Sequence, residues 1–216
     1  MRADLHVHSS FSDDGRSSVK EILDSARQKG IGCIAIADHN CFKAFGETPE
    51  CDVIIIPAEE VSSSEGHILA YGISCEIPRG KGIPETIDMI HDAGGIAVAA
   101  HPYRWWSGIG ENNVVEEFDA VEVFNARSTE GSNSKAERLA SKMDKPFTAG
   151  SDAHHAVNVG DAYAELPDDV CNWEEAIKAV MKGDVTLHGT HRTRKDTLRY
   201  GYKSITEWMG RGLRKM

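Results

Sequence analysis

Six histidines stand where an apolar run starts or ends, or where glycine or proline interrupts the chain: His6, His8, His39, His67, His101 and His154. Acids accompany them. Asp4 shares a short run with His6 and His8, and Asp13 and Asp14 follow within a turn. Glu59 and Glu60 come after "VIIIPA", Glu122 and Asn125 close "DAVEVFN", and Asp152 precedes His154 in "GSDAH". Gathered in one place, such groups are costly, because unpaired buried charge is penalised by several kcal/mol and like charges repel. A divalent cation removes both penalties, and mixed imidazole and carboxylate donors suit Zn, Mn, Fe or Ni. His6 and His8 are two apart, so on a strand both face one side and can share an ion. A single strand-end histidine is more often a satisfied core or surface residue. For His67, which begins a strand, the two readings balance. For His6, His8, His39, His101 and His154 together, the ordinary explanation requires five separate coincidences.

The elements that would position these groups alternate in type. Strands are expected at 3–7, in "IGCIAIADH", "DVIIIPAEEV", "HILAYGI", "IAVAAHP", "FDAVEVFN" and "PFTAG", and finally in "DVTLHG". "SSVKEILDSARQKG" reads as a helix with a Ser18–Glu21 capping box, one apolar face, and Gly30 as its stop. "IPETIDMIHDAGG", "SNSKAERLASKM" with a second box from Ser134 to Glu137, and "NWEEAIKAVMKG" are further helices. The alternation predicts an α/β fold with a largely parallel sheet. In such folds the carboxyl ends of the strands converge on one face, where active sites lie. His39, Glu60, His101, Asn125 and Asp152 all fall at such ends.

Composition narrows the class. The 216 residues are 40% hydrophobic and 27% charged, ordinary for one globular domain. No apolar stretch could span a bilayer and no signal peptide is visible, so a cytoplasmic protein without membrane contact is expected. Five cysteines without a C-x-x-C pair point to reduced thiols. A net charge of -10 argues against broad, sequence-independent nucleic-acid binding. From His191 to Met216, eight Lys/Arg face two Asp/Glu, giving +6 and leaving about -16 on the rest. Residues 191–216 are therefore expected to form a basic helical tail packed on an acidic body of residues 1–190.

The segments "DLHVHS…SDDG", "ADHN", "PAEEVS…HILAYGI", "AHP" and "GSDAH", in this order from residue 4 to residue 154, resemble the successive motifs of the PHP (polymerase and histidinol phosphatase) domain. The wording most resembles small stand-alone metal-dependent phosphoesterases. The resemblance implies a single-domain, distorted (β/α)7 barrel with two or three divalent ions, Zn, Mn or Fe, at its carboxyl-end face. Matched by position, the metal ligands would be His6, His8, Asp13, His39, Glu60, His67, His101, Asp152 and His154. One ion would take His6, His8, Glu60 and Asp152; a second would share Glu60 with His67 and His101; a third would use Asp13, His39 and His154. Asp38 would support His39, and Asp14 would be a turn residue. Ala58 stands where that motif usually has glycine, so Glu60 rather than Glu59 rests on register.

The implied reaction is hydrolysis of a phosphate ester by metal-activated hydroxide. The substrate would be a small phosphomonoester, a nucleotide or a short oligonucleotide. Arg127 and Arg104 are candidate phosphate donors, Asn125 a further substrate contact, and Asp152 or a metal-bound water the proton donor to the leaving group. Two other functions fit the same residues: amidohydrolase-type cleavage of a C–N or C–O bond, and a metal-binding module without turnover.

Overall fold

The computed structural model describes residues 1–105 and 107–191. Of the basic tail expected over residues 191–216, residues 192–216 lie outside the described residues.

The core is built on β1 (Arg2–Val7), buried along all but its first residue. It pairs in parallel with β2 (Ile31–Ile36), and β2 pairs in parallel with β3 (Ile54–Ile56). On its other side β1 meets β9 (Ala162–Glu165), which pairs antiparallel with β10 (Thr186–Gly189). A second sheet runs through β4 (Ala58–Ser62), β5 (His67–Tyr71), β6 (Ile96–Ala99), β7 (Ala120–Asn125) and β8 (Phe147–Gly150), in that order. Here β5 is antiparallel to both neighbours, whereas β6, β7 and β8 are parallel.

The described residues therefore form an α/β fold with two mixed five-stranded sheets. The expected closed (β/α)7 barrel and largely parallel sheet are not what the hydrogen-bond ladders form. Two isolated bridges, Val7 with Ala153 and His39 with Glu60, tie the sheets together without continuous ladders. One physical reason is Pro57. It has no N–H to give a ladder, so "VIIIPAEEV" does not run as the single expected strand. It divides into β3, which stays with β2, and β4, which changes partner to β5.

Among the described residues five helices flank the sheets. α1 (Val19–Gln28) starts at the Ser18–Glu21 capping box and buries Val19, Ile22, Leu23 and Ala26. α2 (Lys43–Gly46) is one short turn, and α3 (Ile83–Asp92) begins with proline in its first turn. α4 (Glu130–Lys142) begins earlier than expected, capped by Thr129, so Ser134 lies inside the helix and caps nothing. α5 (Trp173–Met181) is capped by Asn172. Among the described residues no helix is long and apolar enough to cross a membrane.

Two close approaches set the site. A Cβ on Gly150 would collide with the backbone and Cβ of His6, so glycine at the end of β8 lets that strand lie against β1. Buried Asp4 accepts hydrogen bonds from the amides of Ser151 and Gly160, each at 2.8 Å, and so fastens β1 to the loop that carries Asp152.

Candidate metal centre

The carboxyl ends of β1, β2, β6, β7 and β8, the middle of β4 and the start of β5 deliver their polar residues to one place. Glu60 lies at its middle. Its Oε2 is 3.3 Å from His6 Nε2, 3.2 Å from His8 Nε2 and 3.1 Å from His39 Nδ1. Its Oε1 is 2.9 Å from both His67 Nδ1 and His101 Nε2. Burial alone would push this carboxyl up, but the imidazoles of His39, His67 and His6 and the His101 hydrogen bond hold it well below the usual range. Glu59 points the other way on the pleat. It accepts from the Ile77 amide at 3.0 Å, and burial pushes its carboxyl up to about 7.

The first two histidines are oriented by the groups behind them. His6 Nδ1 meets the Glu122 carboxylate at 2.8 Å, so that nitrogen carries the proton and Nε2 offers its lone pair. Ser12 Oγ donates to Asp38 at 2.8 Å and receives the His39 amide at 2.8 Å. Its remaining acceptor position takes His8 Nδ1 at 3.2 Å, which likewise leaves His8 Nε2 free to ligate. Asp38 serves this loop, accepting also from the Ser9 amide at 2.7 Å and hydroxyl at 2.6 Å, rather than supporting the His39 ring.

The donor set fits divalent cations. The ligating atoms of four triplets lie within 4.8 Å of one another: His6, His8 and Glu60; His6, His101 and Asp152; His39, Glu60 and His67; and His8, His39 and His154. Burial would lower the His6 pKa, but Glu122, Asp152 and Glu60 outweigh it and raise it well above the ordinary value. That position favours positive charge, as proton or as cation. His39 and His101, pushed down to about 4 chiefly by burial, are neutral at physiological pH, the form in which an imidazole can ligate a cation.

Three residues are placed differently from expectation. Asp13 is exposed and lines a pocket at the edge of the cluster. Asp14, expected as a turn residue, reaches inward instead: its Oδ2 is 2.7 Å from His154 Nε2 and its Oδ1 is 3.9 Å from His39 Nε2. Asn125, expected to touch substrate, is fully buried with its amide saturated. It donates to Glu122 and Asp152, each at 3.1 Å, and accepts from Arg104 at 2.6 Å and the Arg127 amide at 3.0 Å.

Arg104 and Arg127 both grip Asp152, Arg104 on Oδ2 and Arg127 on Oδ1 at 3.0 Å. Burial would raise the Asp152 carboxyl, but the two guanidiniums, His6 and His154 hold it well below the usual range. Asp152 and His101 both occupy positive φ, 52° and 27°, conformations uncommon for residues with a Cβ. Glu122, counted from the sequence among the accompanying acids but given no role there, stands behind His6. Besides His6 it receives the His101 amide at 2.9 Å. The available signal was an acid inside the apolar strand "AVEVF".

Known proteins resemble this chain in sequence and in fold. The family model of the PHP domain matches residues 4–131, and a model described as PHP-associated matches residues 130–185. The uncharacterized protein MJ1587 of Methanocaldococcus jannaschii is 36% identical over 146 residues, covering 61% of this chain and 85% of that protein. MJ0417 of the same organism is 31% identical over 186 residues, covering 79% and 75%. Among solved structures, a two-domain protein from Bacteroides vulgatus containing a predicted PHP-like metal-dependent phosphoesterase superposes with a TM-score of 0.70 at 16% identity, over 94% of this chain and 69% of that one. The lesion-specific endonuclease PfuEndoQ of Pyrococcus furiosus superposes with a TM-score of 0.64 at 17% identity, over 86% of this chain but only 57% of that one. The chain belongs to the PHP domain family.

Proposed function

We propose that this protein hydrolyses phosphate esters with the aid of two or three divalent cations, Zn, Mn or Fe. The observation that carries the proposal is the division of labour on Glu60: one oxygen faces His6, His8 and His39, the other His67 and His101. A carboxylate so placed is suited to bridge two ions, with Asp152 on the first side. His154, His39 and Asp14 would hold a third, Asp14 taking the place expected of Asp13. When bound, the cations neutralise phosphate oxygens and lower the pKa of water enough to yield hydroxide near neutral pH.

The chain's own residues supply the rest. Arg104 and Arg127 retain side-chain exposures of 16% and 15% beside Asp152, and their guanidiniums are suited to forked pairing with phosphate oxygens. Asp152, held ionised by them, is suited to ligate and to anchor the arginines rather than to give a proton to the leaving group. Asn125 and Glu122 fix these groups from behind.

A net charge of -10 favours small substrates over long nucleic acids. The fold shared with an endonuclease keeps short oligonucleotides in the range. The test is phosphate release from a panel of phosphomonoesters, nucleotides and short oligonucleotides with added Mn, Fe or Zn, beside a panel of cyclic amides. Metal-stimulated phosphate release is expected. Amide turnover without phosphate release would overturn the proposal.

A further inference from the structure

A pocket of about 230 Å³ opens beside the cluster on the side of His39 and His67. Phe11 and Asp13 reach it from the loop after β1, Asn40 and Cys41 from the loop after β2, Ser62 from the end of β4, and Arg79 from the loop after β5. Roughly 150 Å³ suffices for benzene, so this space holds one substituted six-membered ring. The two arginines that grip Asp152 are not among its lining residues.

The walls combine two kinds of surface. Phe11 is a half-exposed aromatic ring, with 38% of its surface open. Arg79 is exposed and makes no ion pair among the described residues. The backbone that carries it is nevertheless anchored on both sides. Two residues before it, the Ile77 amide donates to buried Glu59 at 3.0 Å; one residue after it, the Gly80 amide donates to the Ser62 carbonyl at 2.7 Å. Both anchors belong to β4, the strand that presents Glu60 to the cluster. Between the loops, Asn40 and Ser62 bind each other, Asn40 Nδ2 to Ser62 Oγ at 3.0 Å and the Ser62 amide to Asn40 Oδ1 at 2.8 Å, which makes a rigid wall. The adjacent acids thus divide their roles. Glu60 faces the cluster, and Glu59 holds the loop that brings a cation to the pocket beside it.

We propose that this pocket receives the leaving group of the substrate, and that this group is a planar ring bearing a second anionic substituent, the ring against Phe11 and the anion on Arg79. The proposal rests on the phosphoesterase reading. Hydrolysis breaks the P–O bond to that group while a water oxygen bonds to phosphorus, and water's proton leaves with the group as an alcohol or phenol. Asp13 on the same rim repels the anion from the Phe11 loop and so favours the Arg79 side.

The test compares two esters that differ by one carboxylate, phenyl phosphate and 3-carboxyphenyl phosphate, in the wild type, Arg79→Gln, Arg79→Lys and Phe11→Ala. The wild type should prefer the carboxylate-bearing ester by about tenfold in kcat/KM, expressed in KM. The preference should collapse toward unity in Arg79→Gln and be partly kept in Arg79→Lys, whereas Phe11→Ala should raise KM for both esters. Binding of 3-hydroxybenzoate and phenol, followed by ligand-observed NMR without added metal, gives a readout independent of turnover. The wild type should bind the benzoate better, and Arg79→Gln should lose that preference. Absence of hydrolysis with this binding pattern intact would sink the phosphoesterase reading while leaving the pocket's specificity standing. An unchanged preference in Arg79→Gln, or equal binding of the two ligands by the wild type, would overturn the pocket assignment.

Discussion

His6 Nε2 and His8 Nε2 lie 3.1 Å apart, each with its other ring nitrogen engaged by a buried partner. Two imidazole lone pairs at that separation repel unless a positive charge sits with them. The neighbouring Glu60, Glu122 and Asp152 strengthen the demand for one. Alternation on a strand, a carboxylate behind one ring and a hydroxyl behind the other all serve the same end.

Glu122 should therefore matter without being a ligand. Glu122→Gln weakens the acceptor that holds His6 Nδ1–H and the His101 amide. Metal affinity should fall about 10–100-fold, measured by competition with a chromophoric chelator, while the far-UV circular dichroism stays native. Unaltered affinity would show that the orientation of His6 does not depend on this carboxylate.

Asp13 and Asp14 are adjacent in sequence and divergent in space. Asp14→Asn removes the carboxylate against His154 and should lower the number of tightly bound metal equivalents, whereas Asp13→Asn should retain them. Elemental analysis of both variants after dialysis decides the matter, and the opposite ranking would restore Asp13 as the ligand.

Asp152→Asn removes a full charge from between two guanidiniums. Phosphate release should drop by about 10²-fold or more in kcat, since both the cation site and the placement of Arg104 and Arg127 depend on that carboxylate. A variant with kcat within a few-fold of wild type would remove Asp152 from the reaction.

Glu59 predicts a pH dependence of stability. Its carboxyl is pushed from 4.5 to about 7 by burial, with the Ile77 amide opposing and Glu76 adding to the shift. The folded state thus binds the proton more tightly than the unfolded state. The associated stability is fully present below about pH 4.5 and is lost as pH rises through 7. Glu59→Gln is neutral throughout. Its Tm relative to wild type should therefore rise between pH 5 and pH 8, by several degrees for a difference on the order of 1–2 kcal/mol. A constant difference across that range would show that Glu59 is not held protonated.

Much of the site was legible because strand geometry is periodic. His6 and His8 must share a face and Glu59 and Glu60 must take opposite ones, whereas the choice of Glu60 over Glu59 rested on the register of the resembled family motif. Asp13 against Asp14 was not legible, because a turn before Gly15 has no fixed period. The buried network around Asn125 was not legible for a similar reason: its position at a strand end was clear, but two of its four side-chain partners, Arg104 and Asp152, come from segments distant in sequence. In the fold, the break at Pro57 was visible as a proline inside an apolar run, yet the exchange of partner from β2 to β5 is a tertiary event. The four-residue strand "AYAE" had too little pattern to stand out, and its pairing with β1 turns the first sheet mixed.

The most direct measurement loads the chelator-stripped protein with Zn, Mn or Fe and follows bound metal and phosphate release from a small phosphomonoester in the same titration. At least two equivalents should bind, and phosphate release should rise with their occupancy. A protein that binds no transition metal, or that binds it without any gain in phosphate release, would contradict the account.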